Sequence, residues 1–156
     1  MKLHLGCGKR FLPGFVHIDI ADFSHVDFVS GIDDLSHIED NRVSEIYSSH
    51  SFEYFDRFEA AHVLEEWNRV LIPGGALFIT VPDFNSLISI YQSTGDLNAI
   101  VGPLFGRWEN GGEYIYHKTT WDFLSLSRIL RETGFEEIVS FDPIIYLEEI
   151  DPNYDD

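Results

Sequence analysis

The sequence is short of sulfur and of positive charge. It has one cysteine and one methionine, and 10 lysine and arginine residues stand against 27 aspartate and glutamate residues. A single cysteine cannot form an internal disulfide or a cysteine-rich zinc site, and we expect no metal centre. No window approaches the roughly 18 consecutive apolar residues of a membrane helix. The N-terminus lacks the apolar segment and cleavage site of a signal peptide, so these absences together predict a cytoplasmic protein.

The excess of acidic residues limits the partners that the chain can bind. The formal net charge is −17, and a field of that sign repels phosphate backbones and anionic lipid headgroups. The densest basic stretch runs from Arg128 to Arg131, and acidic residues flank it on both sides. We therefore expect no nucleic acid and no membrane among the partners.

The order of apolar segments predicts one α/β domain. A length of 156 residues favours a single domain, which we place at residues 1–150, with an acidic tail at 151–156. Apolar runs predict strands, and helical spacing predicts helices between them. The predicted strands are 2–5, 14–20, 26–29, 44–49, 76–81, 138–141 and 144–150, and the predicted helices are 55–70, 83–92 and 123–133. Alternation of this kind is typical of a mainly parallel sheet, while the short turn at Asp142-Pro143 predicts an antiparallel final pair.

One segment does not fit this alternation. Residues 93–120 are rich in glycine and aromatic side chains, and so long a loop is uncommon in a compact domain unless it has a function. We expect it to be a variable insertion on the substrate side.

The candidate binding site lies at the ends of the predicted strands. In an open α/β sheet, ligands bind outside the carboxyl ends of the strands. The first strand ends at Gly6-Cys7-Gly8, where the absence of a Cβ lets the backbone approach a ligand. The second ends at Asp19, whose carboxylate could accept hydrogen bonds from both hydroxyls of a ribose.

The spacing after the glycine turn argues against a dinucleotide. A nicotinamide-binding turn needs a third glycine that opens a helix, and Phe11 stands at that position. Only residues 9–13 separate Gly8 from Gly14, and Pro13 is among them, so no phosphate-binding helix fits. A ligand with a ribose but no phosphate, such as S-adenosylmethionine, is favoured.

Three stretches in order carry a family resemblance. They are Leu3-His4-Leu5-Gly6-Cys7-Gly8 with Gly14 and Ile18-Asp19, then residues 46–54, then residues 66–75 running into Val81-Pro82-Asp83. In these the sequence resembles a class I S-adenosylmethionine-dependent methyltransferase of the methyltransferase type 11 kind. The resemblance implies a Rossmann-like three-layer sandwich with a mainly parallel seven-stranded sheet, in which the last strand forms an antiparallel C-terminal hairpin.

The resemblance also implies which residues bind the cofactor. The glycine turn would pass under the methionine part, Asp19 would hold the ribose, and the remaining positions would contact the adenine or the methionine. The implied cofactor-binding residues are Gly6, Cys7, Gly8, Asp19, Ile20, Asp33, Asp34, Leu35, Ser48, Ser49 and His50.

Three side chains are candidates for work on the substrate. His50 would face the methyl group, where it could act as an acid–base catalyst or simply line the pocket and orient its loop. His117 and Trp121 could shape a substrate pocket, or they could cap and pack the helix that opens at Asp122.

The chain departs from the family pattern at its start. Many relatives have an acidic residue at the position of His4, and a neutral imidazole there could still accept a hydrogen bond from the methionine ammonium. Relatives usually carry helices ahead of the first strand, whereas one residue precedes Lys2. We expect a substrate side that is open or that a second copy of the chain completes.

The resulting functional hypothesis is methyl transfer to an oxygen or nitrogen atom of a small molecule. The methyl group of a sulfonium is already electrophilic, so alignment is the protein's main task, and a base is needed only where the acceptor must lose a proton. The alternative is a non-catalytic module on the same fold that binds S-adenosylmethionine or another protein.

Overall fold

The computed structural model describes residues 1–152 and 154, and it is built around a five-stranded parallel sheet. The strand order is β3-β2-β1-β4-β5. The strands are β1 (Lys2–Leu5), β2 (Val16–Asp19), β3 (Phe28–Val29), β4 (Val43–Ser49) and β5 (Leu71–Thr80). Because all five run in the same direction, their carboxyl ends meet at one edge of the sheet.

Alternation along the strands gives the sheet two different faces. Leu3 and Leu5 of β1 enter the larger core, while His4 between them points to the opposite face. That opposite face carries a smaller core built on Tyr47 of β4. Strands β1 and β2 are largely buried, as expected for strands that are covered on both faces.

Helix α1 (Glu59–Val70) covers the larger core. Its apolar residues recur at helical spacing, and Trp67 is fully buried while its indole N–H donates to the Ile32 carbonyl at 2.7 Å. Helix α4 (Phe123–Glu132) lies on the same core through Leu130 and begins with a capping box at Asp122.

Helix α2 (Phe84–Thr94) begins and ends where the sequence provides its signals. The Asp83 carboxylate accepts hydrogen bonds from the Asn85 and Ser86 amides, and Gly95 ends the helix with a positive φ of 65°. The predicted helices over 55–70, 83–92 and 123–133 are thus present, each with shifted ends.

The predicted C-terminal strands are wrong, and with them the seven-stranded sheet. Residues 143–150 form helix α5 (Pro143–Ile150), and no strand lies at 138–141. The physical reason is a helix start: the Asp142 carboxylate accepts hydrogen bonds from the Ile144 and Ile145 amides, and Pro143 takes the first helical position, where it needs no partner for an N–H. Leu147 of α5 then packs on the smaller core.

Residues 93–120 also contain more regular structure than predicted. They hold helix α3 (Asn98–Phe105) and an antiparallel pair, β6 (Trp108–Asn110) and β7 (Glu113–Ile115), which forms a separate two-stranded sheet. The division into one domain at 1–150 and a tail at 151–156 stays a prediction, and Asn153, Asp155 and Asp156 of that tail lie outside the described residues.

Two further observations concern the described part of the chain. No helix within it has both the length and the apolar character needed to cross a bilayer. Nor do its histidine, cysteine and acidic residues include a group of three arranged to hold a metal ion.

Candidate active site

The glycine turn after β1 lies at the carboxyl edge of the sheet, as predicted. Gly6 has a φ of 65°, and a Cβ there would lie 2.4 Å from the Ser51 Cβ, so only glycine lets the segment after β4 close against the turn. Gly8 has a φ of 53°, but nothing lies within 4 Å of the place where its Cβ would be. The space beside Gly8 is therefore open to a ligand.

Asp19 ties the end of β2 to this turn. Its side chain is buried, and its two oxygens accept hydrogen bonds from the Gly8 and Ala21 amides, each at 2.8 Å. A carboxylate has about four lone-pair positions, so two remain for a ligand. Asp19 thus shapes the turn and still carries acceptors suited to a diol.

A cavity of about 330 Å³ lies between the ends of β1, β4 and β5 and the start of α5. Four of the predicted cofactor residues line it, namely Gly6, Cys7, Ser49 and His50. Eight further residues that were not among the predicted cofactor-binding residues also line the cavity: His4, Arg10, Tyr47, Thr80, Pro143, Ile144, Leu147 and Tyr154. Of these, Arg10 had a signal: it is a positive charge inside the turn that follows the first strand.

His4 gives the cavity an unused polar atom. Its side chain is buried, and its Nδ1 has no hydrogen-bond partner. Burial, reinforced by nearby His17 and Arg10, lowers the pKa of His4 to about 3, so the ring is neutral at physiological pH. A neutral imidazole beside the Arg10 guanidinium matches a zwitterionic ligand, with a lone pair for an ammonium and a cation for a carboxylate.

Cys7 is a packing residue and not a nucleophile. Burial and the charge of Asp19 raise the pKa of its thiol to about 12, so the thiol stays protonated. Its Sγ lies 3.8 Å from the His25 Nε2.

The other seven predicted cofactor residues do not line this cavity, and Gly8 and Asp19 are among them. Ile20, Asp33 and Asp34 are exposed, and Asp34 accepts a hydrogen bond from the Ser36 amide at 3.1 Å. Leu35 is fully buried in the larger core. Ser48 is also buried, and its hydroxyl pairs with that of Ser51 at 2.7 Å.

The two predicted substrate residues have different environments. Trp121 lies in the larger core, where its ring stacks on Phe52 at 5.3 Å. His117 lies beside Glu53, with 3.6 Å between His117 Nε2 and Glu53 Oε1. Glu53 was missed by the sequence analysis, although its position three residues after His50 in the segment that leaves β4 was an available signal.

A second cavity, of about 490 Å³, lies away from these residues. It is bounded by the beginning of β1 and of β4 and by α5, through Lys2, Glu45 and Tyr146. None of the candidate site residues lines it, so we assign the site to the smaller cavity at the carboxyl edge.

Comparison with known proteins gives a family match over part of the chain. Residues 15–79 match the family model described as a methyltransferase domain. No curated protein sequence matches the chain.

Solved structures share the fold at low sequence identity. An S-adenosylmethionine-dependent methyltransferase from Archaeoglobus fulgidus superposes with a TM-score of 0.61 at 17% identity, covering 97% of this chain and 77% of the other. The 1,6-didemethyltoxoflavin-N1-methyltransferase of Burkholderia thailandensis, solved with its substrate and S-adenosylhomocysteine, gives 0.58 at 15% identity, covering 90% and 62%. A Haloferax volcanii complex between the Trm112 methyltransferase activator and a protein named as a methyltransferase gives 0.55 at 20% identity, covering 85% and 59%. The chain therefore spans about three fifths of the length of some of the structures that it matches.

The sheet is parallel, and its carboxyl edge carries a glycine turn, an acidic residue at the end of β2 and a cavity. This arrangement is typical of an α/β domain that binds a ligand at that edge. The match over residues 15–79 and the shared fold make this chain similar to S-adenosylmethionine-dependent methyltransferases. The cofactor that these similarities indicate is S-adenosylmethionine.

Proposed function

We propose that the chain transfers a methyl group from S-adenosylmethionine to an oxygen or nitrogen atom of a small molecule. The observation that carries this proposal is that the glycine turn, an unpaired buried imidazole and an exposed histidine all line one cavity at the carboxyl edge. Function inferred from a fold alone would be only an analogy, so the proposal rests on these side chains.

The residues present fit the cofactor chemically. Arg10 would hold the methionine carboxylate, the neutral ring of His4 would accept from the ammonium, and Asp19 would accept from the ribose hydroxyls. When bound, S-adenosylmethionine supplies a methyl group on a positively charged sulfur. The acidic character of the chain suits a cofactor that carries this positive charge.

His50 is the proposed base for acceptors that must lose a proton. Its side chain is 61% exposed, and it lies on the wall of the cavity next to the end of β4. A neutral imidazole nitrogen at this position can take the acceptor's proton as the new bond to carbon forms. An acceptor amine that is already unprotonated would not need this step.

The proposal is tested by calorimetry and by transfer of a labelled methyl group. The full chain is titrated with S-adenosylhomocysteine and then incubated with methyl-labelled S-adenosylmethionine and a panel of phenols, hydroxy acids and amines. We expect binding with one ligand per chain and label transfer to at least one acceptor. A well-folded chain that binds no S-adenosylhomocysteine would refute the proposal, and binding without transfer to any acceptor would favour the non-catalytic module.

A second copy of the chain is the proposed partner on the substrate side. Helices α2 and α3 contact each other, and both carry large apolar side chains that are exposed, among them Tyr91, Leu97 and Phe105. An apolar surface of this kind marks an interaction site. Sedimentation equilibrium should show a dimer that dissociates in Leu97→Glu, whereas a monomer at all concentrations would contradict the proposal.

A further inference from the structure

Glu53 is a buried carboxylate without a hydrogen-bond partner. It lies in a short 3-10 helix, Phe52–Tyr54, directly after β4, and only 1% of the residue is exposed. Neither carboxylate oxygen accepts a hydrogen bond, while the backbone carbonyl accepts from the Lys118 amide at 2.9 Å. Because an isolated buried charge is costly, a glutamate in this environment needs a compensating group.

Two imidazoles approach the same oxygen of this carboxylate. His50 Nδ1 lies 3.5 Å from Glu53 Oε1, and His117 Nε2 lies 3.6 Å from it. Both are ion-pair distances, longer than the roughly 2.7–3.2 Å of a hydrogen bond. Contacts of this length in a ligand-free active site commonly shorten when substrate binds.

His117 is the imidazole that can carry the compensating charge. Its Nδ1 lies 3.0 Å from the Pro103 carbonyl, which can only accept, so this nitrogen holds a hydrogen. With its Nδ1–H on that carbonyl, the ring turns Nε2 toward Glu53. The ring also lies against the backbone, since a Cβ on Gly106 would be 2.3 Å from Nε2.

Tyr54 completes the surroundings of this group. The edge-to-face contact between its ring and that of His117 has a centroid distance of 4.8 Å. Burial and the charge of Glu53 raise the pKa of Tyr54, so the phenol stays neutral and adds no second anion. Lys118, the residue after His117, is bound instead to the exposed carboxylate of Glu59 at 2.9 Å.

His50 differs from His117 in that it reaches solvent. Its backbone adopts a positive φ of 51°, which is uncommon for a residue with a side chain, and its amide donates to the Thr80 carbonyl at 3.0 Å. This backbone position holds the ring between Glu53 on one side and the cavity on the other. A hydrogen on Nδ1 that points to Glu53 leaves the lone pair of Nε2 available.

We propose that Glu53 is a positioning residue that holds His50 in the Nδ1–H tautomer, and that His117 is the second imidazole at the same Glu53 oxygen. This inference rests on the proposed function, in which His50 is the base. During transfer, the acceptor atom forms a bond to the methyl carbon, the carbon–sulfur bond breaks with its electron pair going to sulfur, and the acceptor's proton moves to His50 Nε2. The positive charge that then forms on His50 lies beside the carboxylate of Glu53.

The test is nitrogen-15 NMR of the histidine rings in the full chain, because it reports the tautomer without any need for turnover. In the wild type at mildly alkaline pH, we expect His50 to be mainly the Nδ1–H tautomer. Glu53→Gln should shift the population to the Nε2–H form. An unchanged His50 spectrum in Glu53→Gln would overturn the proposal.

The chain offers a matched control on α1. His62 and Glu65 have the same spacing of three residues, but both side chains are exposed and the shortest contact is 4.0 Å. Glu65→Gln should alter neither the tautomer of His62 nor that of His50. If it changes His50 as much as Glu53→Gln does, the effect is one of overall charge and the proposal fails.

A second variant tests the role of His117. In His117→Asn, His50 is the imidazole that remains beside the Glu53 carboxylate, so we expect the Nδ1–H share of the His50 ring to rise. An unchanged or lower Nδ1–H share in folded His117→Asn would refute this part. Where an acceptor has been found, Glu53→Gln should lower kcat by about tenfold or more with an unchanged KM for S-adenosylmethionine. Absence of turnover would leave the NMR result intact, so the two proposals fail separately.

Discussion

Replacing Asp19 with asparagine tests how one side chain connects the fold to the site. In the wild type both carboxylate oxygens accept backbone hydrogen bonds, from Gly8 and Ala21, at 2.8 Å. The asparagine amide can accept only one of them, and its NH2 group then faces the other N–H. Losing a hydrogen bond to a charged group costs about 1.5–3 kcal/mol, and the unpaired buried donor adds about 1–3 kcal/mol. We expect a total loss of roughly 3 kcal/mol.

Two assays should show this loss. For a chain of this length, 1 kcal/mol corresponds to about 2–4 °C, so the melting temperature should fall by about 6–12 °C. Affinity for S-adenosylhomocysteine, measured by calorimetry below the melting transition, should fall by about 10- to 100-fold, because the neutral amide binds ribose hydroxyls less strongly than a carboxylate. Asp22→Asn is the control, since Asp22 is exposed. Unchanged stability and affinity in Asp19→Asn would refute the reasoning.

Three further predictions concern stability. In urea unfolding, Gly6→Ala should destabilise the chain by at least about 1 kcal/mol more than Gly8→Ala. Both positions have a positive φ, but only a Cβ on Gly6 would lie 2.4 Å from another side chain. Equal losses of stability in the two variants would contradict this prediction. The pKa of His4 is about 3 in the folded chain and near 6.5 in the unfolded chain, so unfolding takes up a proton in this range. The free energy of unfolding should therefore fall as the pH drops from about 6.5 to 3. His4→Gln should reduce this dependence of the free energy of unfolding on pH, and an equal dependence in the variant would exclude His4 as its cause. Arg69→Met should lower the free energy of unfolding by about 3 kcal/mol, because the guanidinium donates to two carbonyls and two carboxylates. Arg42→Met breaks only an exposed ion pair and should lower it by less than about 1 kcal/mol. Similar losses in the two variants would refute this distinction.

Most of the central sheet and three helices could be predicted from the sequence. Helical spacing and the Pro73 stop define α1, and the glycine turn marks the end of β1. The C-terminal strands could not be told from a helix by apolar content alone, because short apolar runs fit both. The decisive local signal was Asp142-Pro143, which fits a turn between strands as well as a helix start.

The site was predictable where it depends on the backbone and not where it depends on burial. The glycine turn and Asp19 follow from strand ends, and the structure brings them together. Glu53 could not be found in this way, because glutamate is rarely buried and composition assigns it to the surface. Leu35 shows the reverse case: a residue that is predicted at the adenine edge is fully buried in the larger core.

Helix α5 serves both the smaller core and the cavity, and so links ligand binding to folding at a distance along the sequence. The Tyr146 hydroxyl donates to Glu45 across 101 positions at 2.6 Å, and Leu147 lines the cavity that begins at His4. Bringing such distant segments together costs more loop-closure entropy than forming contacts between neighbours in sequence, such as α1 and β5. A ligand that fills the cavity therefore stabilises the docked position of α5, and undocking of α5 lowers the affinity for that ligand by the same free energy.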